Sequence, residues 1–327
     1  MHMSDALLSP TVAAVTGAGA VILIAIAVKQ VLKPSVTTNT QHPRSLFPLM
    51  GVLGAFIFAA QMINFTIPGT GSSGHLVGGI LLAAMLGPWA AFLTLTAVLI
   101  IQCLIFADGG LLALGCNIIN MAAMSCLVAY PLFFRPFIQA KTSTLRLSTA
   151  SIISSIIALF LGAVAVTIET SLSDITALPM RRFLVYMVAI HLAVGIGEGI
   201  TTAAILAIIK RYRKDLIIGM NDSPTLPTRR LGIVISIFAI AALLIGASFS
   251  WIASSKPDGL EWSIEKVAGD EELPLPDSRV HYSALRMQEQ TALMPDYNTS
   301  LAGILGSGAI ILSVFLLAYL FTPRQKS

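Results

Sequence analysis

Charge is what this chain has least of. Only 11% of its 327 residues are Asp, Glu, Lys or Arg, while 56% are hydrophobic, against about a quarter charged in a soluble domain. With a mean hydropathy of +0.84, a water-soluble enzyme is excluded. Cysteine is scarce as well: Cys103, Cys116 and Cys126 form no C-x-x-C pair and sit in or beside apolar runs. That excludes a disulfide framework or thiolate metal cluster and leaves three small buried hydrophobes. No glycine precedes a lysine anywhere, so no phosphate-cradling Walker A loop exists, and neither HExxH nor GxSxG occurs. Any ATP-driven motor must therefore sit on other chains. No basic residue precedes the first apolar stretch, as a secretory signal would require.

What is present is a succession of apolar runs near membrane-spanning length. They fall at about 11–32, 48–66, 75–87, 88–106, 111–134, 147–168, 183–209, 229–253 and 300–321. The expected fold class is an all-α polytopic membrane protein: a bundle of about seven helices, then a two-helix C-terminal module. Residues 75–106 are split in two at Gly87-Pro88, because proline disfavours a helical residue before it. Charge parity requires this split. Fourteen of the 20 basic residues lie in four segments: Lys29, Lys33 and Arg44; Arg135, Lys141 and Arg146; Lys210, Arg211, Arg213, Lys214, Arg229 and Arg230; Arg324 and Lys326. They share one side only if 75–106 crosses twice. The positive-inside rule then makes that side, and the C-terminus, cytoplasmic and the N-terminus extracytoplasmic. Between the last two spans, 254–299 is an extracytoplasmic acidic loop. The expected domains are 1–212, a cytoplasmic linker 213–227 containing part of "NDSPTLPTRR", and 228–327.

The same topology puts the opening "MHMSDALLSP" and the loop "NFTIPGTGSSGHLVGG" on one face. A His-Met pair is also what a cloning scar leaves, but a histidine at position two has a specific chemistry. The terminal amine of Met1, the amide nitrogen of His2 and its Nδ1 can chelate one ion through a five- and a six-membered ring. An imidazole from His75 would complete four nitrogens in a plane, which suits Ni(II) or Cu(II). Asp5 is a candidate acceptor from the amine or an imidazole, or a helix-start carboxylate favoured by the dipole. Neither His42, among cytoplasmic charges, nor His281, in the acidic loop, has an evident partner.

Polar side chains within spans are costly in lipid and face a bundle interior or cavity. His191 and Glu198, seven apart in "HLAVGIGEGITTA", share a helix face and, with Asn64, Gln102, Asn117 and Asn120, are gating or outer-shell candidates; a structural hydrogen-bond network fits them equally. Gly51, Ala55 and Ala59 in "GVLGAFIFAA" form a small-residue stripe that another helix can approach closely. Packing inside the chain and contact with a partner subunit both fit that stripe.

"MHMSDALLSP", "GTGSSGHLVGG", the block "GPWAAFLTLTAVLIIQCLIFADGGLLALGCNIINM" and "HLAVGIGEGITTA" together resemble the NikM/CbiM family, the substrate-binding subunits of energy-coupling factor nickel and cobalt transporters. "SSKPDGLEWSIEKV" resembles the PDGLE module of their small two-helix partner, here fused as in NikMN-like chains. The "SD" at Ser4-Asp5 departs from the family's usual Pro-Asp. The resemblance implies Met1, His2 and His75 as ligands of Ni2+ or Co2+, a transported substrate, with no intrinsic cofactor. It implies an energy-coupling-factor transmembrane protein and cytoplasmic ATPase subunits as partners, in a multi-pass chain of the bacterial inner membrane. It implies no enzymatic activity and no nucleic-acid partner; membrane lipid surrounds the chain. Gly51, Ala55 and Ala59 are then the candidate contact for the coupling protein. The other readings are an ATP-independent cation transporter and a membrane metal sensor.

Overall fold

A computed structural model describes residues 1–33, 43–220, 228–248, 254–270, 273–295 and 300–321. His42, residues 221–227 of the expected linker, Glu271, Glu272, Asp296, Arg324 and Lys326 lie outside the described residues. The chain is an all-α polytopic membrane protein. Its helices are α1 (Pro10–Leu32), α2 (Pro43–Gln61), α3 (Gly79–Leu86), α4 (Pro88–Phe106), α5 (Leu114–Phe137), α6 (Thr144–Ser173), α7 (Met180–Arg213), α8 (Thr228–Ser248), α9 (Gly259–Ala268), α10 (Arg279–Thr291) and α11 (Ser300–Phe321). Among the described residues, α1, α4, α5, α6 and α7 are long and apolar enough to cross a membrane by themselves. Their outward residues, such as Val15 on α1, Leu172 on α6 and Ile200 on α7, are exposed hydrophobics, as contact with hydrocarbon demands.

Local chemistry sets the boundaries that matter for the site. α1 starts on a Ser9 cap, whose hydroxyl accepts from Val12 N, followed by Pro10 at the first helical position. α2 ends at Gln61, short of the expected residue 66. The chain leaves the helix there for a hairpin of β1 (Phe65–Thr66) and β2 (Ser73–Gly74). The expected break at Gly87-Pro88 is present: Gly87 has φ 81°, and α4 begins on Pro88. The expected span 75–87 is a composite. Residues 75–78 descend from the hairpin, and α3 starts only at Gly79, since Gly78 (φ 79°) is left-handed. At about 1.5 Å per residue, the 8 residues of α3 reach about 12 Å and cannot cross alone. Every one of them is buried, and Ala84 O receives Ile218 N beyond the far end of α7.

Glycines set the closest approaches. On α7, Gly195 and Gly199 lie against the backbone of Ile156 and Ile152 of α6, where any Cβ would collide. That is a small-xxx-small seam. The stripe Gly51, Ala55 and Ala59 packs inside the chain. Ala55 and Ala59 are fully buried, Gly51 faces Val314 and Ile311 of α11, and Ser307 Oγ donates to Ala55 O. The stripe is therefore no open docking face for the coupling protein, because the C-terminal module of the same chain fills it. α8 and α11 meet where Gly246 and Gly303 touch backbone to backbone.

The polar stretch between α8 and α11 folds into α9 and α10. The sequence "PDGLE" builds the start of α9. Asp258 caps the helix by accepting from Leu260 N and Glu261 N, and Glu261 returns a bond to Asp258 N. This reciprocal capping box accounts for the Asp-x-x-Glu spacing. Overpacking a glycine seam costs about 1–3 kcal/mol. Gly303→Leu should therefore lower the melting temperature in detergent, while Gly308→Leu, with open space around its Cα, should leave it unchanged.

Candidate metal centre

The first eight residues enter the bundle. Met1, Met3, Leu7 and Leu8 are buried, and several polar groups of this segment meet specific braces. Asn117 of α5 clasps Met3 from both sides, accepting from Met3 N at 2.8 Å and donating to Met3 O at 3.2 Å. Gly110 N also donates to Met3 O. Asp5 Oδ1 accepts from Ala113 N at 3.0 Å, so Asp5 braces the turn before α5 and touches neither the amine nor an imidazole. Burial raises its carboxyl above the usual range, partly offset by backbone bonds from Ala113 and Leu112. His281 of α10 donates from Nε2 to Leu8 O at 2.8 Å.

These braces bring together residues far apart in sequence. The Met1 ammonium pairs with Asp258 Oδ2 at 2.5 Å, with the side chains 3% and 17% exposed. The His2 and His75 rings stack with centroids 5.3 Å apart and planes 19° from parallel. His2 Nδ1 faces Asp108 Oδ1 at 3.2 Å, and the His2 amide donates to no acceptor among the described residues. His75 Nδ1 donates to Leu76 O at 3.1 Å, so Nε2 carries the free lone pair. Burial lowers the pKa of both imidazoles, that of His75 to about 4. Both rings are thus neutral at pH 7, as metal ligation requires. Burial alone would raise the Asp258 carboxyl. The neighbouring ammonium outweighs it and holds the group well below the usual carboxylate range.

A cavity of about 10 Å3, room for one water-sized occupant, is walled by Met1, His75, His191, Asp258 and Gly259 among others. His191 donates from Nδ1 to Met187 O at 2.8 Å, leaving Nε2 as a lone-pair nitrogen. Gly259 of "PDGLE" has no room for a side chain, because a Cβ there would sit 3.0 Å from His191 Cε1. Glu198, one heptad below His191, accepts from Val77 N (2.8 Å) and Gly78 N (3.1 Å) and so anchors the segment that carries His75. Asn64 contributes its carbonyl to Ser254 N and stands outside the cavity wall. Among the described residues no three His, Cys, Asp or Glu side chains are gathered as for a metal. A cation held here would need main-chain nitrogens beside the two imidazoles.

The acidic loop closes over this site from two directions. On the α9 side, Ser73 N donates to Pro257 O, Ser73 Oγ to Lys256 O, and Trp262 Nε1 to Thr70 O. On the α10 side, Gln288 donates to Cys103 O and Gly109 O, and Met294 N to Ile105 O. Neither Asp258 nor Asp108 is among the site residues expected from the sequence. The Asp-x-x-Glu cap was legible, whereas nothing in the sequence ties Asp258 to a residue 257 positions earlier.

Fold and site together define a multi-pass membrane protein with a small chamber beneath an acidic loop. The chain belongs to the family described as the cobalt uptake substrate-specific transmembrane region, whose model matches residues 2–216; residues 233–323 match the PDGLE domain. It is 29% identical to the fused nickel transport protein NikMN of Rhodobacter capsulatus, over 77% of this chain and 74% of that one. It is 26% identical to the cobalt transport protein CbiM of Geobacter sulfurreducens, over 83% and 78%. A crystal structure of a transition metal transporter superposes with a TM-score of 0.54 at 32% identity, covering 64% of this chain and 93% of that one. These are metal transport proteins, and the chain is not an enzyme.

Removing one partner of a buried ion pair costs about 3–5 kcal/mol at full burial, and asparagine caps a helix as well as aspartate. Asp258→Asn should therefore keep α9 and lower the melting temperature of the metal-free protein. An unchanged melting temperature would show that the amine does not depend on this carboxylate.

Proposed function

We propose that this chain is the substrate-capture component of an energy-coupling-factor importer for nickel ions, with cobalt as second cargo. The ion is held in a plane of four nitrogens: the Met1 amine, the His2 amide, His2 Nδ1 and His75 Nε2. The observation that carries this reading is the buried Met1 beside a small cavity lined by His75, with the His2 ring stacked on that of His75. The nickel-transport relative and the PDGLE half support nickel first, and planar nitrogen coordination favours nickel over zinc. Copper would bind the same donors more strongly, so the supply of metal decides against it.

The empty site already holds the charges the ion needs. The Met1 ammonium pairs with Asp258, and the Asp108 carboxylate faces the neutral His2 ring, which together leave one net negative charge. Binding a dication removes one proton from the ammonium and one from the amide, while the two neutral imidazoles release none. The loaded site then carries two positive charges against the amide anion and two carboxylates, again one net negative charge. A site that exchanges a dication for two protons avoids burying uncompensated charge.

The N-terminus and acidic loop face the outside of the bacterial inner membrane, and the basic segments face the cytoplasm. Capture occurs under the α9–α10 cover. Release inward follows when a separate coupling protein and cytoplasmic ATPases reorient or deform the bundle.

Two measurements check this reading. Calorimetry of nickel binding in buffers of different ionisation enthalpy should return about two protons released per ion; none released would contradict the amine–amide chelate. Radioactive nickel uptake should require both this chain and hydrolysis-competent ATPases. Concentrative uptake without ATP would mean a secondary transporter, and uptake unaffected by loss of the chain would mean a sensor.

A further inference from the structure

Two buried polar atoms beside the site have no hydrogen-bond partner among the described residues: His2 Nε2 and Gln102 Oε1. The Gln102 side chain faces the His2 ring as an acceptor without closing a bond to it. The cause lies in a buried chain of amides. Val77 O can only accept, so Gln61 must present its amide nitrogen there, at 3.0 Å. Gln61 Oε1 is then left to accept from Gln102 Nε2, at 2.8 Å. This fixes the orientation of Gln102 and leaves its Oε1, an acceptor only, as the loose end against His2. The His2 ring has meanwhile given its Nδ1 to the Asp108 carboxylate, so a neutral ring carries its proton on Nδ1. Its Nε2 is then also an acceptor, and two acceptors face each other.

We infer that Gln102 is the positioning residue of the loaded site: its carbonyl accepts a hydrogen bond from His2 Nε2–H once the ion has taken Nδ1. The inference rests on the proposed chelate. Ligation at Nδ1 forces the single proton of a neutral imidazole onto Nε2, with no net proton gained or lost. The unsatisfied pair then becomes donor and acceptor, the usual outer-shell support of a ligating histidine. The chain's polarity thus selects the ring orientation that puts Nδ1, rather than Nε2, toward the amine and amide. Its far end is Val77, two residues beyond His75 and held on its other side by Glu198. One buried chain from α4 through α2 therefore ties the two imidazole-bearing segments together.

The test uses full-length protein in detergent with 15N-labelled histidine, with nickel as the probe; planar Ni(II) is diamagnetic and leaves the imidazole nitrogens observable. In the empty protein the protonated nitrogen of His2 should be Nδ1, and in the nickel-loaded protein it should be Nε2, in a hydrogen-bonded proton environment. Gln102→Leu should weaken nickel binding by about 10–100-fold and remove that hydrogen-bond signature. Gln61→Leu, which unlocks the Gln102 orientation, should give a smaller loss in the same direction. If His2→Ala abolishes binding while Gln102→Leu keeps wild-type affinity and spectrum, the role of Gln102 is overturned. If His2→Ala binds nickel normally, the chelate reading fails instead. Should Gln102→Leu not fold, the wild-type spectra decide: a loaded His2 without a hydrogen-bonded Nε2 proton overturns the inference.

Discussion

The terminal ammonium of a buried Met1 inside a membrane protein cannot persist unpaired, because burying an isolated charge costs far more than a folded domain has to spare. Here the counter-charge comes from Asp258, in the other half of the chain. That one ion pair couples the ends of the fold. The first residues enter the bundle only if α9 is seated above them, and α9 seats only if residues 70–73 and the N-terminal segment are in place beneath it. The oxygen of Asp258 that is not engaged with Met1 caps α9. A single side chain therefore starts a helix and closes a site.

The energetic logic is a division of labour. The lipid-facing helices need only be apolar, and α6 and α7 are held together by glycines and serines that permit close approach. Specificity is concentrated in a few buried polar groups, each aimed at one piece of backbone: Asn117 at Met3, Asp5 at Ala113, Glu198 at Val77 and Gly78. Backbone recognition of this kind fixes where the first residues lie without depending on most of their side chains. It also leaves the Met1 amine and the His2 ring without bonds inside the N-terminal segment itself.

Much of this was legible in the sequence. The all-α membrane fold follows from hydropathy. The break before Pro88 follows from backbone sterics, since Pro88 disfavours a helical residue before it and Gly87, at φ 81°, readily leaves the helix. The pairing of the first residues with His75 followed from counting membrane crossings. What could not be read were contacts whose partner is set by packing alone. The stripe Gly51–Ala55–Ala59 announces a close helix neighbour, but spacing does not say whose helix, and α11 of the same chain takes the place. Asp258 and Asp108 look like ordinary loop carboxylates until the fold brings them to the amine and to His2. α9 and α10 were hidden in a stretch read as merely polar, although α9 has a capping box at its start. Asp5 was weighed as an acceptor for the amine, and its carboxylate instead satisfies a turn.

The central claim is that an ion here is bound by main-chain nitrogens at the start of the chain together with two imidazoles. X-ray absorption at the nickel edge of the loaded protein tests it most directly. Four nitrogen neighbours in a planar shell are expected, with the multiple-scattering pattern of two imidazoles and no sulfur. A six-coordinate shell dominated by oxygen, or one with a single imidazole, would contradict it.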